Sequence, residues 1–361
     1  MIPEYRSHML LAGCEGGVCM ARLDERKRKV LRAVVEVYVA NAEPVGSRTI
    51  ARESDLGVSS ATIRNEMADL EELGYLEQPH TSAGRMPSDA GYRFYVDEMA
   101  NISSPTHLQL ERMREALGRH ASEVDAVLEA TGKLLSEITD CLSLVAEPSP
   151  SAAVLNTVEM VPLGDHRMML LIVTEEGFVH NRIVDHPEGV SLEKVKHVSS
   201  VLTNYLRGYN LGDVINSSVV RAVHSELNHC RQLLDVVMEI LSSYSSDDAE
   251  TRYRLEGAAN IMKQPEFQDV RRAQKVLRVL SQRSVARNLF KGVDEDDIFV
   301  LIGSENRYEV ISDCSVVTST YYIRGQSAGR IGVLGPRRMN YGRVMGMVKT
   351  LTSLLSEALD G

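Results

Sequence analysis

The chain has 361 residues, of which 43% are hydrophobic, and a formal net charge of −10 at pH 7. This length predicts two or three domains, and the apolar content is sufficient for their cores. The negative charge argues against a protein that coats nucleic acid or a membrane surface, but it is compatible with a localised DNA site on a cytosolic protein. The five scattered cysteines include no Cys-x-x-Cys pair, so neither a disulfide framework nor a structural zinc site is predicted.

The first 21 residues are predicted to be a disordered extension. The alternative is that the start codon is an upstream one and that the natural chain begins at Met20. Residues 10–14 resemble the cleavage box of a bacterial lipoprotein signal. Polar and charged residues nevertheless occupy the place of the apolar stretch that such a signal needs. Because no segment reaches the length of a transmembrane helix, we predict a cytoplasmic protein without a membrane partner.

A DNA-binding module is predicted over residues 22–100. After Pro44, the sequence predicts a short helix, a turn at Gly57 and a second, longer helix. Two helices joined in this way form a helix-turn-helix, whose second helix fits a DNA major groove. A hairpin with Gly84 and Arg85 at its tip follows directly, so the module is predicted to be a winged helix.

The longer helix of this module has two chemically different faces. Its predicted buried face consists of Ile63, Met67, Leu70 and Leu73. Its opposite face consists of Ala61, Arg64, Asn65 and Ala68. Small residues allow a close approach to base edges, while Arg and Asn are shaped for bidentate contacts to guanine and adenine. The alternative is a solvated face that contacts no ligand, an interpretation that the helix-turn-helix and the following hairpin disfavour.

We predict that double-stranded DNA contacts this module in three places. They are the first residues of both helices, the polar face of the longer helix, and the hairpin tip. The predicted contact residues are Ser47, Arg48, Ser59, Ser60, Ala61, Thr62, Arg64, Asn65 and Arg85. Residues 22–98 contain 11 Lys plus Arg against 14 Asp plus Glu, a balance of −3. Affinity for DNA therefore has to come from the placement of a few cations, and dimerisation would double their number.

The remainder of the chain is predicted to be an α+β domain, over residues 105–210 and 283–361, with a mostly helical insertion at 211–282. Residues 101–105 are predicted to form a hinge before it. A helix is predicted over residues 110–145, with a break near Gly118. Its apolar spacing permits a coiled coil. The alternative is that this helix lies across the sheet of its own domain. Strands are predicted at 156–162, 168–174, 178–185, 297–303, near 308–311, 314–324 and 329–334, and helices at 192–206, 220–241, 270–280 and 341–359.

The insertion contains a candidate dimer contact. A set of apolar residues lies there at helical spacing: Leu233, Leu234, Val237, Ile240 and Leu241. We predict that this stripe joins two copies of the chain. The alternative is that it forms the core of the insertion itself.

No catalytic or metal-binding pattern is found in the sequence. The glycine-rich residues 325–335 contain no Gly-Lys-Ser/Thr and are interpreted as hairpin turns. The acidic run at 294–297 lacks the alternating spacing of a calcium loop. His224 and His229 are five residues apart, which places them on different faces of a helix. We therefore predict that the protein is not an enzyme and needs no cofactor or metal.

Five stretches of the chain resemble the bacterial heat-inducible transcription repressor family, HrcA. They are residues 23–26, 43–47, 58–67, 84–93 and 334–341, the last reading Leu-Gly-Pro-Arg-Arg-Met-Asn-Tyr. A helix-turn-helix alone is common to many regulators. The wing run and the Gly-Pro-Arg-Arg-Met-Asn-Tyr run, about 250 residues apart, make the resemblance specific.

This resemblance implies a winged-helix domain, a GAF-like domain and an inserted dimerisation domain. It further implies a homodimer that represses the chaperone operons groE and dnaK by binding an inverted-repeat operator, the CIRCE element. The chaperonin GroEL would keep the repressor active, and heat shock would inactivate it. Two alternatives remain: a metabolite-responsive winged-helix regulator of the IclR type, which requires a polar, ligand-sized pocket in the sheet domain, and an enzyme tethered to DNA.

Overall fold

The computed structural model describes residues 23–80, 83–119, 124–148, 153–164, 166–185, 190–215, 218–245, 252–280 and 298–360, together with 282, 285, 286 and 289. The predictions for the N-terminal extension and for the acidic run at 294–297 concern residues outside these ranges. Contacts within the chain define two compact units, Met1–Tyr95 and Val96–Gly361.

The first unit has the predicted winged-helix layout. Its elements are α1 (Glu25–Asn41), α2 (Ser47–Glu53), α3 (Ser60–Glu72), β1 (Leu76–Glu77), β2 (Met86–Pro87) and α4 (Asp89–Glu98). The Asp24 side chain accepts a hydrogen bond from the Lys27 amide and so caps α1. The turn before α3 contains Gly57 with a φ of +64°, a conformation that favours glycine. The fully buried residues of the three helices are Val30, Leu31, Val34, Val35, Ile50, Ile63 and Leu70.

A close backbone contact holds α4 against the hairpin. A Cβ atom on Gly91 would lie 2.1 Å from the carbonyl oxygen of Tyr75, so only glycine fits there without a shift. The Ser88 hydroxyl accepts from the Gly91 amide at 3.1 Å and donates to the Gly74 carbonyl at 2.6 Å. Ser88 therefore caps α4 and ties its start to the end of α3.

The second unit contains two antiparallel sheets and most of the helices. Its elements in chain order are α5 (His107–Gly118), α6 (Val124–Thr139), β3 (Leu142–Ala146), β4 (Leu155–Pro162), β5 (Arg167–Thr174), β6 (Val179–Asp185), α7 (Leu192–Leu206), α8 (Val219–Glu226), α9 (Arg231–Ser245), β7 (Tyr253–Glu256), α10 (Ala258–Lys263), α11 (Val270–Leu280), β8 (Phe299–Ile302), β9 (Cys314–Ile323), β10 (Gln326–Pro336) and α12 (Tyr341–Asp360). A five-stranded sheet has the order β7-β3-β10-β9-β8, and a three-stranded sheet has the order β4-β5-β6.

Three predicted elements differ from the structure. The predicted helix over 220–241 is broken into α8 and α9, with a 3₁₀ turn at Asn228–Cys230 between them. The predicted helix over 110–145 ends at Thr139, and Leu142 and Val145 are buried in strand β3. Helix α6 lies across the sheet of its own unit, where the Ser143 hydroxyl donates to the Gly132 carbonyl at 2.7 Å. The coiled-coil interpretation was therefore wrong, and its alternative is confirmed. The strand predicted near 308–311 is a 3₁₀ turn, Glu309–Ile311.

The insertion occupies a different range from the predicted 211–282. Strands β4 to β6 do not pair with the five-stranded sheet, and one buried cluster joins them to α7, α8 and α9. Strand β7 is instead an edge strand of the five-stranded sheet, paired with β3, and the helices α10 and α11 pack on that sheet. The interruption therefore lies between β3 and β7, because β3 and β7 pair directly across it.

The predicted dimer stripe lies inside this inserted unit. Leu233, Leu234, Val237 and Leu241 are at most 2% exposed, and Ile240 is half-buried against the same cluster. These side chains belong to the same buried cluster as the inner-face residues of the three-stranded sheet. They are not available to a second copy, so the structure favours the alternative, that the stripe is the core of the insertion.

The predicted hinge segment is fastened to the C-terminal helix. The Ser103 amide donates to the Gly342 carbonyl at 3.0 Å. A Cβ atom on Gly342 would lie 2.3 Å from the Asn101 carbonyl oxygen, and one on Gly346 would lie 1.8 Å from that of Ser103. Two glycines one helical turn apart thus let residues 101–103 run directly over α12.

Among the described residues, no helix combines the length and the apolar character that a membrane span requires.

Candidate nucleic-acid interface

Helix α3 starts from a well-formed cap. The Ser59 hydroxyl accepts from the Thr62 amide at 3.2 Å and lies 3.0 Å from the Thr62 hydroxyl. This satisfies one of the amides that a helix start leaves without a partner. Ser59 and Thr62, both predicted DNA contacts, therefore also hold the end of the helix in place. Ser60 and Ala61 begin the helix beside them, and Ala61 is exposed.

The buried face of α3 is close to the predicted one. Ile63 and Leu70 are fully buried and Met67 is 4% exposed, against α1 and α2. Leu73, predicted to belong to this face, is 44% exposed because it is the C-cap residue beyond the last helical turn. Three apolar anchors at a helical spacing are sufficient to fix the rotation of α3 about its axis.

The opposite face of α3 is open to a ligand. Arg64 and Asn65 are exposed, and neither side chain has a hydrogen bond or ion pair with the described part of the chain. Arg48, in the first turn of α2, is likewise exposed and has no described partner, while Ser47 beside it is half-buried. These groups present donors that nothing in the described fold uses.

Arg85 does not lie at the tip of the wing, contrary to the prediction. Its backbone pairs with Val45, with hydrogen bonds of 2.8 and 2.9 Å in the two directions. Its Nε atom donates to a Glu71 carboxylate oxygen at 2.8 Å. A Cβ atom on the adjacent Gly84 would lie 2.5 Å from the Val45 backbone. Arg85 therefore joins the base of the wing to α3 and to the segment before α2.

Residues 26–29, at the start of α1, are all basic, and Lys27 and Lys29 are among those that form ion pairs within the chain. Lys27 Nζ lies 2.8 Å from Glu66 and 2.9 Å from Asp69, two carboxylates of α3. Hydrogen bonds to Glu66 and then Asp69 raise the pKa of Lys27 well above its usual value. Lys29 pairs with Glu25 of its own helix at 3.2 Å. Sequence patterns did not reveal the Lys27 contacts, because their partners lie about forty residues away along the chain.

Among the residues that the structure describes, the other cysteine, histidine and acidic side chains are not grouped as a metal site. Cys141 and Cys314 are buried, and burial raises the pKa of their thiols to about 11 and about 12. Of the glycines at 325–335, Gly325 lies in the β9–β10 turn with a φ of +75°, and the others lie within β10.

The cavity beside the five-stranded sheet is too small for a metabolite. Pro148, Ala153, Phe178 and Ile323 are among the residues that line it, and its volume is about 30 Å³. That space holds about one water molecule, whereas ligand pockets are typically about 300 Å³ or larger. This cavity gives no support to the metabolite-responsive alternative.

Comparison with known protein families agrees with this geometry. Residues 22–98 match the family described as "Winged helix-turn-helix transcription repressor, HrcA DNA-binding", and residues 125–345 match "HrcA protein C terminal domain". The chain belongs to the HrcA family. This is a family of DNA-binding transcription repressors and not of enzymes, as the sequence predicted.

Similar HrcA proteins span almost the whole chain. The heat-inducible transcription repressor HrcA of Desulforudis audaxviator is 41% identical over 340 residues, which cover 94% of this chain and 98% of that protein. The repressors of the same name from Desulfitobacterium hafniense and Pelotomaculum thermopropionicum are 39% and 40% identical, with 94% of this chain and 98% and 97% of theirs covered. A crystal structure of a hypothetical protein at 2.2 Å resolution is 26% identical, with a TM-score of 0.63, and the match covers 94% of this chain and 99% of that one.

The second HrcA-like run, residues 334–341, serves the fold. Tyr341 is fully buried, and its hydroxyl donates to the Arg337 carbonyl at 2.6 Å. The Asn340 side chain accepts from the Arg343 amide at 3.1 Å and caps α12. Arg338 pairs with Glu266 and donates to Gln264 at 3.1 Å. The run thus forms the start of α12, the helix against which residues 101–103 pack.

Proposed function

We propose that this HrcA-family chain is a cytoplasmic, heat-inducible repressor that binds an inverted-repeat operator, the CIRCE element, upstream of the chaperone operons groE and dnaK. The exposed face of α3 is the observation that carries this proposal. Arg64 and Asn65 stand there on a capped helix whose rotation is fixed by its buried residues. Their side chains match the edges of guanine and adenine in a major groove.

A homodimer is the second part of the proposal. An inverted repeat requires two recognition helices related by a twofold axis. The outer face of the three-stranded sheet supports a contact between copies, since the buried cluster shared with α7 to α9 contains the residues of its inner face. Val179 and Ile183 on β6 are 57% and 61% exposed. The apolar residues of this outer face are Val161, Met169, Leu171, Val173, Val179 and Ile183.

The third part concerns GroEL. A repressor that is inactivated by heating is expected to have a small free energy of unfolding. A change of a few kcal/mol in that free energy then changes the active fraction greatly. The chain contains no tryptophan and only five phenylalanines, which suits such a protein. Partial unfolding would expose apolar segments to which a chaperonin binds. GroEL would then restore the active fraction of the repressor, and its occupation by unfolded proteins during heat shock would release repression.

A titration of fluorescent duplexes tests the proposal. The full chain is titrated onto the CIRCE repeat, onto a single half-site and onto a scrambled duplex, before and after heating, with and without GroEL. We expect tight binding of the intact repeat only, loss on heating, and recovery of the active fraction with GroEL at unchanged affinity. Equal binding of the scrambled duplex would contradict the operator proposal. Full activity after heating, unaffected by GroEL, would contradict the chaperonin proposal.

A further inference from the structure

Helix α3, the proposed recognition helix, carries more acidic than basic side chains. Four carboxylates lie on α3, at Glu66, Asp69, Glu71 and Glu72, against the single cation Arg64. Phosphates repel carboxylates, and the repulsion is least screened where water is excluded. An interface built on α3 therefore requires that these charges be compensated.

Two of the carboxylates border the exposed face of α3. At about 100° per residue, Asp69 lies about 40° from Asn65 around the helix, and Glu71 lies about 20° from Arg64. The two acids are on opposite sides of that face. The sugar-phosphate strands run along both edges of a major groove, so the two edges of a helix inserted there are the parts that approach the phosphates.

Each of these edges is occupied by a cation from another element. Lys27 of α1 contacts Glu66 at 2.8 Å and Asp69 at 2.9 Å on one side. Arg85, directly before β2, contacts Glu71 at 2.8 Å on the other. The Lys27 and Glu66 side chains are only 18% and 12% exposed, so this pair is held between two helices and is not a loose surface contact.

We propose that Lys27 and Arg85 are positioning residues for DNA binding, which neutralise the carboxylates at the two edges of the recognition helix and do not themselves bind phosphate. This inference rests on the proposed insertion of α3 into a major groove. It replaces the prediction that Arg85 reaches DNA from the wing tip. It also explains how a unit with a net charge of −3 over residues 22–98 presents a face that DNA can approach.

Charge-removal variants and their rescues test this role. Lys27→Met and Arg85→Met keep most of the aliphatic stem and remove the charge. We expect each to weaken binding about tenfold, since like charges in an interface are costly. Adding Glu66→Gln and Asp69→Asn to the first variant, or Glu71→Gln to the second, is expected to restore binding to within about twofold of the original protein.

The salt dependence separates neutralisation from phosphate contact. A lysine that binds a phosphate contributes about 0.9 to the slope of log K against log salt, and its loss cannot be rescued by removing a carboxylate. An unrescued loss with a slope lower by about that amount would overturn the proposal. Unchanged binding by both single variants would also overturn it, because the ion pairs would then serve folding alone.

Lys29→Met is the matched control, because Lys29 lies on the same helix, is 59% exposed and pairs with Glu25 instead of α3. Circular dichroism of every variant checks that the unit is folded at the assay temperature. The measurements use both the CIRCE repeat and a random duplex. Phosphate repulsion does not depend on sequence, so loss and rescue on the random duplex report on neutralisation even if the operator proposal fails.

Discussion

The exposed face of α3 and the run at 334–341 both carry the resemblance to HrcA, and both contain Arg and Asn. Their roles in the molecule are opposite. Arg64 and Asn65 on α3 have no partner in the described chain. Arg338 is paired with Glu266, and the Asn340 side chain caps a helix. The same residue types are thus left unpaired for the proposed recognition in one region and serve folding in the other.

This difference is the criterion by which Arg64 and Asn65 are proposed to bind DNA. A polar side chain that completes a cap or an ion pair has its hydrogen-bonding capacity used by the chain. One that remains exposed and unpaired on a rigid helix can exchange water for a ligand. The same distinction separates apolar residues of the inserted unit, where Leu234 is buried and Ile183 on β6 is exposed.

The largest effect is expected from Leu234→Ala. Leu234 is fully buried in the core of the inserted unit, and truncation of such a leucine costs about 2–5 kcal/mol of folding stability. Ile183→Ser, on the exposed face, is expected to change the stability of the monomer by less than about 0.5 kcal/mol and to weaken the proposed dimer. Urea unfolding and light scattering measure the two quantities. A stable, dissociated Leu234→Ala protein would return the dimer contact to the α9 stripe.

Arg64→Ala and Arg338→Ala test the comparison directly. Removing Arg64 is expected to cost about 1–3 kcal/mol of operator binding and to relax base preference at one position, with folding unchanged. Removing Arg338 leaves Glu266 unpaired, so stability is expected to fall while affinity per folded molecule is unchanged. Binding to operator and random duplexes, together with thermal unfolding, distinguishes the two. An equal loss by Arg64→Ala on both duplexes would mean that Arg64 contacts only phosphate.

The packing of residues 101–103 on α12 predicts that alanine is tolerated differently at two glycines, Gly346 and Gly118. Gly346→Ala would place a methyl group against the Ser103 carbonyl, and we expect a loss of about 1–3 kcal/mol and faster hydrogen exchange of the Ser103 amide. Gly118→Ala is the control. It lies in helix α5 with no neighbour within 4 Å of the added atom, so it should stabilise the helix by up to about 1 kcal/mol. A neutral Gly346→Ala would show that residues 101–103 are not held on α12.

Local patterns were sufficient to predict most of the recognition helix. Its cap and its faces depend on residues within four positions of one another, and the structure agrees for Ser59, Ile63 and Leu70. Strand β9 and helix α12 were predicted closely for the same reason, since each has a long run of one periodicity.

What could not be predicted depends on distant pairing. The boundary of the insertion is set by β3 pairing with β7 over about a hundred residues, a register that neither strand shows alone. Arg85 was placed at a wing tip because nothing near it in sequence identifies Val45 or Glu71 as its partners. The α9 stripe has the same apolar spacing whether it faces a second copy or its own sheet.

The smallest effect concerns two adjacent serines at the start of α3. Ser59 accepts from the Thr62 amide, so Ser59→Ala is expected to cost about 0.5–2 kcal/mol of stability, and Ser59→Asn, which can also cap, should recover most of it. Ser60 makes no hydrogen bond through its side chain with the described residues, so Ser60→Ala should leave stability unchanged. If Ser60 contacts the DNA backbone, its alanine variant will lose affinity on operator and random duplexes alike. Urea unfolding and duplex titration of all three variants therefore separate the residue that builds the helix start from the one that is free to contact DNA. A destabilised Ser60→Ala with a stable Ser59→Ala would reverse that assignment.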